Sequence, residues 1–170
     1  MNTTEEVVTM RYTFIPSPLG DLLAVRDEVG LSGLYLPTGK HPVSVHPDWS
    51  RDDDAFDDVR TQLDEYFAGT RREFDLPLHA MGTEFQRRAW TALRDIPYGE
   101  TSSYGKQAAA IGSPDAARAV GLANGQNPIS IIVPCHRVVG ANGSLTGYGG
   151  GLDAKRWLLS HEASHAGLFA

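Results

Sequence analysis

The stretch TSSYGKQAAAIGSPDAARAVGLAN, Thr101 to Asn124, decides the fold of the second half of the chain. Its first part has Ser and Thr residues that can cap a helix, then three consecutive alanines and a terminal glycine, which together predict a short helix. The second part opens on Ser-Pro-Asp, in which Ser113 would cap a second helix, Pro114 would take its first position and Asp115 would face its positive end. Two short helices joined by a Gly-Ser turn indicate a helix-turn-helix.

The second of these helices consists mostly of small residues, and Arg118 is its one long side chain. Small residues let a helix backbone approach a partner closely, and the cation could contact a polyanion. Two adjacent helices are more often plain packing than DNA recognition, so both interpretations stay open on these residues alone. The small residues are Ala116, Ala117, Ala119, Gly121 and Ala123.

Upstream of this pair, TEFQRRAWTALRDI (residues 83–96) predicts another helix, with Thr83 as its N-cap. Phe85, Ala89 and Leu93 would lie on one face of it, and the Pro and Gly of IPYGE would end it. Residues 81–170 therefore predict a mainly α domain.

Downstream, the stretch NPISIIVPCHRVVG, Asn127 to Gly140, contains the only cysteine of the chain, Cys135. The β-branched run from Ile129 to Val133 predicts a buried strand, which Pro134 would end. Asn127 is followed by a proline, and this pair is a turn signal that can place a side-chain amide near the cysteine.

Two interpretations of Cys135 compete. Free cysteines are among the most buried residues, so an inert core thiol is the simpler one. His136 and Arg137 follow directly, which is unusual for a core strand, and their positive charge predicts a lowered pKa of the thiol and a reactive thiolate. Neighbouring residues on a strand point to opposite faces, so His136 can help Cys135 only if the backbone turns there or a water relays the proton.

The first half of the chain, residues 1–80, predicts a small α/β domain. RYTFIPSPLGDLLAV (11–25) and VGLSGLYL (29–36) predict two or three antiparallel strands, and the polar loop PTGKHPVSVHPDWS (37–50) follows them. A helix is predicted from about Asp53 to Ala68, with Phe56, Val59, Leu63 and Phe67 on one face and Gly69 as its stop. EFDLPL (73–78) predicts another short strand.

Composition limits the function classes. The 170 residues are 41% hydrophobic, which is typical of a globular protein. Residues 1–80 carry 15 acidic and 7 basic residues, a formal charge of −8, whereas residues 81–170 carry 6 and 8, a charge of +2. Only the second half therefore suits a polyanion, and DNA binding would depend on a few well-placed cations.

Neither a signal peptide at MNTTEEVVTM nor a membrane-spanning run is indicated, so we expect a cytoplasmic protein with no membrane partner. One cysteine excludes an internal disulfide and a Cys-rich zinc cage. The other histidines are scattered and predict no metal site: His41, His46, His79, His161 and His165.

From IPYGE to LLSHE, residues 96–162, the sequence strongly resembles the O6-alkylguanine-DNA alkyltransferase family, also called methylated-DNA–protein-cysteine methyltransferases. Pro-Cys-His-Arg-Val at residues 134–138 is the signature of that family, and the agreement runs from about Gly82 to Glu162. The resemblance implies a ribonuclease-H-like α/β N-terminal domain with a small antiparallel sheet, and a winged-helix-like C-terminal domain with the helix-turn-helix. It also implies that the protein flips O6-alkylguanine out of duplex DNA and moves the alkyl group irreversibly to Cys135. O4-alkylthymine is a second candidate lesion.

The same resemblance implies roles for four residues around the cysteine. His136 receives the thiol proton through a water, and Glu162 orients His136. Tyr104 assists the leaving guanine oxygen, and Asn127 holds the turn that leads into the active site.

For the DNA, the resemblance implies that Arg118 enters the base stack in place of the flipped nucleotide. Ala116, Ala117 and Gly121 would fit the minor groove, and Thr101, Ser103 and Arg137 are candidate backbone contacts. The substrate pocket would be lined by Tyr148, Gly149, Val133 and Pro134, with Gly149 at a position where some relatives have a serine.

No cofactor and no zinc are implied, and the expected partner is double-stranded DNA containing alkylated guanine. We expect a monomer, which could bind DNA cooperatively. The alternative is a non-enzymatic winged-helix DNA-binding protein or an alkylation-response regulator. A cysteine hydrolase or a glycosylase fits less well, because the histidine is adjacent to the cysteine and no carboxylate pair is evident.

Overall fold

In the computed structural model, which describes residues 9–39 and 42–169, a small sheet with one helix precedes a mainly helical second part. Most of MNTTEEVVTM and His41 lie outside the described residues. The strands are β1 (Arg11–Ile15), β2 (Leu22–Arg26), β3 (Leu31–Tyr35), β4 (Ser50–Arg51), β5 (Ser102–Ser103) and β6 (Val138–Val139). The α-helices are α1 (Asp57–Phe67), α2 (Glu84–Leu93), α3 (Tyr104–Ala110), α4 (Ala117–Gly125) and α5 (Leu152–His165), and the 3-10 helices are Asp53–Phe56, Cys135–Arg137 and Ala166–Phe169.

The N-terminal sheet has the strand order β3-β2-β1-β4. The pairs β1–β2 and β2–β3 are antiparallel, as predicted. The edge strand β4 instead runs parallel to β1, with Arg11 opposite Ser50, so the prediction of a purely antiparallel sheet is wrong. The cause lies at the end of the predicted polar loop, where the N–H of Ser50 donates to the carbonyl of Met10, just before β1, and the N–H of Asp52 donates to the carbonyl of Tyr12 in β1.

The predicted helix over residues 53–68 is present, with its first turn wound as a 3-10 helix that Asp52 caps through the backbone N–H of Ala55. Its inner face also includes Tyr66, which is fully buried and which the periodicity did not single out. Gly69 ends the helix at a φ of +80°, and a side chain there would collide with the ring of His165 on α5. Helices α1 and α5 therefore approach closely at this point.

EFDLPL does not form the predicted strand. Its only bridge pairs Leu78 with Leu31, where the N–H of Leu31 donates to the carbonyl of Pro77 and the N–H of His79 donates to Leu31. Pro77 has no backbone N–H, so a regular ladder cannot extend through it.

In the helical part, two of the three predicted N-cap positions are correct. Thr83 and Gln86 form a capping box at the start of α2, and Ser103 caps α3. The second helix of the pair begins at Ala117, three residues later than Ser-Pro-Asp predicts, because the N–H of Ala116 donates to the carbonyl of Ser113 at 2.9 Å. Proline suits the second position of such a turn as well as the start of a helix.

The predicted strand from Ile129 to Val133 is absent. Only Ile129 bridges the N-terminal sheet, at Leu34, and the run then folds back so that the N–H of Val133 donates to the carbonyl of Ile129 at 3.0 Å. Ile131, a buried β-branched residue, has a φ of +73°, a strained conformation held by the surrounding core. The chain then enters the 3-10 turn Cys135–Arg137 and the short strand β6, which pairs parallel to β5.

One continuous apolar core joins both halves of the chain. It contains Leu22 and Leu34 from the sheet, Phe56 from the turn before α1, and Val138 and Leu158 from the helical part. Burial of such apolar surface is the main stabilising term in folding. Within residues 9–39 and 42–169, no helix has the length and apolar character that crossing a membrane requires.

Candidate functional site

Cys135 opens the 3-10 turn that follows Pro134, and the side-chain amide of Asn127 holds this turn. Asn127 Nδ2 donates to Cys135 Sγ at 3.2 Å and to the carbonyl oxygen of Val133 at 2.8 Å. Its Oδ1 accepts from the backbone N–H of Ile129 at 3.0 Å. The Asn-Pro turn thus puts an amide against the thiol, as the sequence predicts.

The backbone turns at Cys135 and His136, so their side chains need not point to opposite faces as they would on a strand. His136 is fully buried, and its Nε2 lies 2.7 Å from Glu162 Oε2 on α5. Its other ring nitrogen, Nδ1, has no hydrogen-bond partner among the described residues. Thiol, imidazole and carboxylate therefore come from one turn and one helix.

Glu162 lies at the centre of a buried polar network. Arg137 Nε donates to Oε1 at 2.7 Å and Arg137 Nη2 donates to Oε2 at 3.1 Å, a two-pronged ion pair. The phenol of Tyr66 also donates to Oε2, at 2.6 Å. A buried charge needs such partners, because removing it from water is costly.

The prediction that Arg137 contacts DNA is wrong. The residue is 6% exposed, its guanidinium is paired with Glu162, and its Nη1 donates to the carbonyl of Ile96 at 2.7 Å. Its charge is therefore used inside the protein.

The predicted lowering of the thiol pKa is also wrong. Burial raises the pKa of the Cys135 thiol above its ordinary value, and this outweighs the lowering by the Asn127 amide and the Lys155 ammonium group. Neither neighbour in sequence counters the burial, because His136 is neutral and the charge of Arg137 is neutralised by Glu162. The resting residue is a thiol that needs a base.

His136 has the protonation state that such a base would need. Burial lowers the pKa of His136, and Arg137 and Lys155 act in the same direction, so the imidazole is neutral. Burial alone would raise the pKa of Glu162, but His136 and Arg137 hold it well below its usual range, so it is a carboxylate that can only accept. The proton on the imidazole is therefore on Nε2, and Nδ1 carries the free lone pair.

A groove of about 690 Å³ lies on the outer side of the helix-turn-helix. Arg118 is exposed on its wall, and Leu122, one turn further along α4, is 67% exposed. Tyr104 lines the groove and its hydroxyl lies 2.7 Å from Thr146 Oγ1. The remaining lining residues are Ala117, Gly121, Gly125, Gln126, Gly147, Tyr148 and Gly149.

The predicted pocket residues separate into two groups. Tyr148 and Gly149 line the groove, and the buried Tyr148 hydroxyl lies close enough to Cys135 that burial, together with a thiolate there, raises the pKa of the phenol well above its ordinary value. Val133 and Pro134 are buried and do not line this groove, so their place in the substrate pocket stays a prediction. They border cavities on the side of α2 instead.

The remaining predicted DNA contacts lie near α3 and α4. Ala116 and Gly121 are half-buried, and Gly121 packs beside the Tyr104 ring, at 3.5 Å from where a Cβ would lie. Thr101 is exposed, whereas the Ser103 hydroxyl accepts from the N–H of Lys106 as the cap of α3.

The sequence does not predict two buried polar residues of this site, Tyr66 beside Glu162 and Lys155 beside the thiol. Tyr66 lies on an apolar helix face and Lys155 lies in a charged stretch of α5, so the sequence pattern distinguishes neither from its neighbours. Lys155 is 1% exposed, and its Nζ donates to the carbonyls of Val138 at 2.7 Å and Thr146 at 3.2 Å. The only available signal was position: Lys155 comes two turns before Glu162, so both lie on the buried face of α5. As for metals, residues 9–39 and 42–169 contain no cluster of three potential ligand side chains.

Comparison with known proteins places this geometry in context. Two family models match the chain: the ribonuclease-like domain of 6-O-methylguanine DNA methyltransferase over residues 10–80 and its DNA binding domain over residues 84–164. The chain is 51% identical over 155 residues to the methylated-DNA–protein-cysteine methyltransferase of Methanosarcina acetivorans, which covers 91% of this chain and 99% of that protein. It is 54% identical over 158 residues to the protein of the same name from Mycobacterium tuberculosis, and the match covers 92% of this chain and 94% of that protein.

A solved structure with a similar fold is that of Mycobacterium tuberculosis OGT in complex with DNA. The TM-score is 0.86 at 52% sequence identity, over 91% of this chain and 94% of that one.

Proposed function

The chain belongs to the 6-O-methylguanine DNA methyltransferase family, and we propose that it repairs DNA by direct reversal, transferring the alkyl group of O6-alkylguanine to Cys135. The partner is double-stranded DNA that contains the alkylated base, in keeping with the DNA complex of the similar structure. Each molecule acts once, because a thioether is not reopened by ordinary thiol exchange.

DNA is bound by the helix-turn-helix of α3 and α4. Arg118 is the exposed cation of α4 and takes the place of the extruded nucleotide, which offsets part of the few kcal/mol that flipping costs. The half-buried small residues of α4, Ala116, Ala117 and Gly121, let the helix backbone enter the minor groove. Thr101 and Ser103 contact the sugar-phosphate backbone from the start of α3.

The chemical step moves one alkyl group and one proton. His136 Nδ1 takes the thiol proton through a bridging water, and Glu162 holds the imidazole by its Nε2–H. The thiolate attacks the alkyl carbon, a C–S bond forms, and the bond from that carbon to guanine O6 breaks with its electron pair on the purine. The purine then takes up one proton, which balances the proton that the thiol has lost, and the product is unmodified guanine.

The leaving purine is stabilised from the groove. The Tyr104 phenol donates to the purine as the bond to O6 breaks, and Tyr148 and Gly149 line the bound base. Asn127 keeps Sγ aimed at the alkyl carbon through its 3.2 Å contact and stabilises the thiolate that forms.

The single observation that carries this function is the neutral, buried His136, which follows Cys135 in the same turn and has its Nε2 anchored on Glu162. A DNA-binding regulator without chemistry would have no use for a base aligned in this way. We also propose that the domains divide at residues 80 and 81, that the protein is a cytoplasmic monomer which could bind DNA cooperatively, and that it needs no cofactor or metal.

The test is intact-protein mass spectrometry after incubation with duplex DNA containing O6-methylguanine. We expect one protein molecule to gain the mass of one CH2 group, located on the peptide with Cys135, and the Cys135→Ser variant to gain none. No adduct on the wild-type protein, or repair by the Ser variant, would refute the function.

A further inference from the structure

Tyr66 belongs to helix α1 of the N-terminal part, yet its hydroxyl reaches the proposed catalytic network. The side chain is fully buried, and the phenol donates to Glu162 Oε2 at 2.6 Å across 96 positions of sequence. Burial and the adjacent Glu162 carboxylate raise the pKa of Tyr66 well above its ordinary value, so the phenol stays a hydrogen-bond donor.

The contact adds a fourth donor to Glu162. Oε1 accepts from Arg137 Nε alone, whereas Oε2 accepts from Arg137 Nη2, His136 Nε2 and the Tyr66 hydroxyl. Tyr66 and His136 share one oxygen, Oε2, so each affects how much negative charge the other meets.

The Tyr66 ring is held on several sides. It makes edge-on contacts with Phe67 and Tyr98, at centroid distances of 5.2 and 6.2 Å, and it packs beside Phe74 at 5.5 Å. His161 lies one residue before Glu162, and its Nε2 is 2.8 Å from the Tyr66 backbone carbonyl oxygen. The end of α1 is therefore tied to α5 at the turn that carries Glu162.

We propose that Tyr66 is a positioning residue for alkyl transfer, through which the N-terminal domain fixes Glu162 and thereby the orientation and proton affinity of His136. The inference rests on the proposed function and extends it, because it gives the N-terminal domain a part in the chemistry. Tyr66 touches neither the substrate nor the thiol; it acts through Glu162.

The direction of the effect follows from the shared oxygen. Removing the phenol leaves more negative charge on Oε2, which strengthens its hydrogen bond with His136 Nε2 and stabilises the imidazolium. His136 then protonates at higher pH, and the base is lost at a pH where the wild-type protein still reacts. The other charged or titratable groups facing this network are unchanged by the substitution: Tyr98, Cys135, Arg137, Tyr148, Lys155 and His161.

The experiment measures the rate of Cys135 alkylation by a free O6-alkylguanine base against pH, by intact-protein mass spectrometry. The proteins are wild type, Tyr66→Phe and the control Tyr12→Phe, which removes a hydroxyl from β1 of the same domain. We expect the acidic midpoint of the Tyr66→Phe profile to move up by about half a pH unit or more, a roughly threefold loss of rate on the acidic limb. The Tyr12→Phe profile should overlie that of the wild type.

A merely structural role would lower the melting temperature of Tyr66→Phe and leave the midpoint in place, and that result would overturn the inference. If Tyr66→Phe does not fold, 3-fluorotyrosine at position 66 replaces it. Its phenol is a stronger donor, so the midpoint should move down, and an unmoved or raised midpoint would overturn the inference. A wild-type protein that is never alkylated would instead refute the proposed function, so the two failures are distinguishable.

Discussion

Arg137 and Glu162 form a buried ion pair with two parallel hydrogen bonds, Nε to Oε1 at 2.7 Å and Nη2 to Oε2 at 3.1 Å. This geometry is the fork-to-fork arrangement in which guanidinium and carboxylate bind most strongly. It explains how a carboxylate that is 1% exposed stays ionised beside a neutral imidazole. The charge of Arg137 is therefore used inside the protein, where it keeps Glu162 ionised.

The Arg137→Ala substitution should destabilise the protein by about 3–5 kcal/mol, because it leaves the Glu162 charge buried with only neutral donors. Urea unfolding measures this loss. The matched control is Arg156→Ala, which removes a surface pair with Asp153 whose arginine side chain is 62% exposed, and should cost at most about 1 kcal/mol. A fully stable Arg137→Ala protein that binds DNA less tightly would restore the DNA-contact interpretation.

The Asn127→Ala substitution should slow alkylation of Cys135 by about tenfold or more, since it removes a hydrogen bond that favours the thiolate. The pKa of the thiol should rise further, which thiol titration by a chromogenic disulfide can follow. The control is Gln62→Ala, whose side-chain amide bonds to the backbone of Asp75 at the surface of the N-terminal part. Equal rates for the wild type and Asn127→Ala would show that the amide contact has no part in the chemistry.

The sequence predicts well those features that local residues determine. Thr83 and Ser103 cap helices where expected, and Gly69 ends α1. It fails where distant parts of the chain decide, as in the run from Ile129 to Val133, whose β-branched residues favour a strand. There the contact with β3 and the turn that presents Cys135 override local propensity.

The site shows the same division. The residues around Cys135 follow from the signature and the resemblance, and the structure brings Asn127, His136 and Glu162 together. Whether a cation faces DNA or the interior is not encoded locally, so the sequence does not predict that Arg137 points inward. Tyr66 meets Glu162 only through the packing of α1 on α5, which no short pattern predicts.

The Arg118→Ala substitution should reduce repair of duplex DNA by about tenfold or more and leave the reaction with a free O6-alkylguanine base unchanged. The reason is that the side chain is exposed on α4 and would replace the flipped nucleotide, a role that the free base does not require. Parallel rate measurements with the two substrates test this. Arg156→Ala, which removes an exposed cation from α5 outside the helix-turn-helix, is the control and should leave both rates unchanged, and equal losses on both substrates would refute the role of Arg118.

The free energy of unfolding should fall as the pH drops, in two stages that follow from the depressed pKa values of His136 and Glu162. In the unfolded chain these groups take up protons near their ordinary values of 6.5 and 4.5, whereas in the folded protein they do not. The unfolded state therefore binds more protons below each value, and stability is lost as the pH decreases. The contribution of Glu162 is fully present above pH 4.5 and disappears as the pH approaches the folded-state pKa.

Urea unfolding of wild type and Glu162→Gln between about pH 7 and 3 isolates the second stage. The variant should be less stable at neutral pH. The difference in free energy of unfolding from the wild type should narrow below about pH 4.5, because only the wild type has a carboxylate at position 162 to protonate. Asp153→Asn, which removes an exposed carboxylate from the same helix, should follow the wild-type curve. A gap that stays constant to the lowest pH would mean that Glu162 does not carry the buried charge on which the orientation of His136 depends.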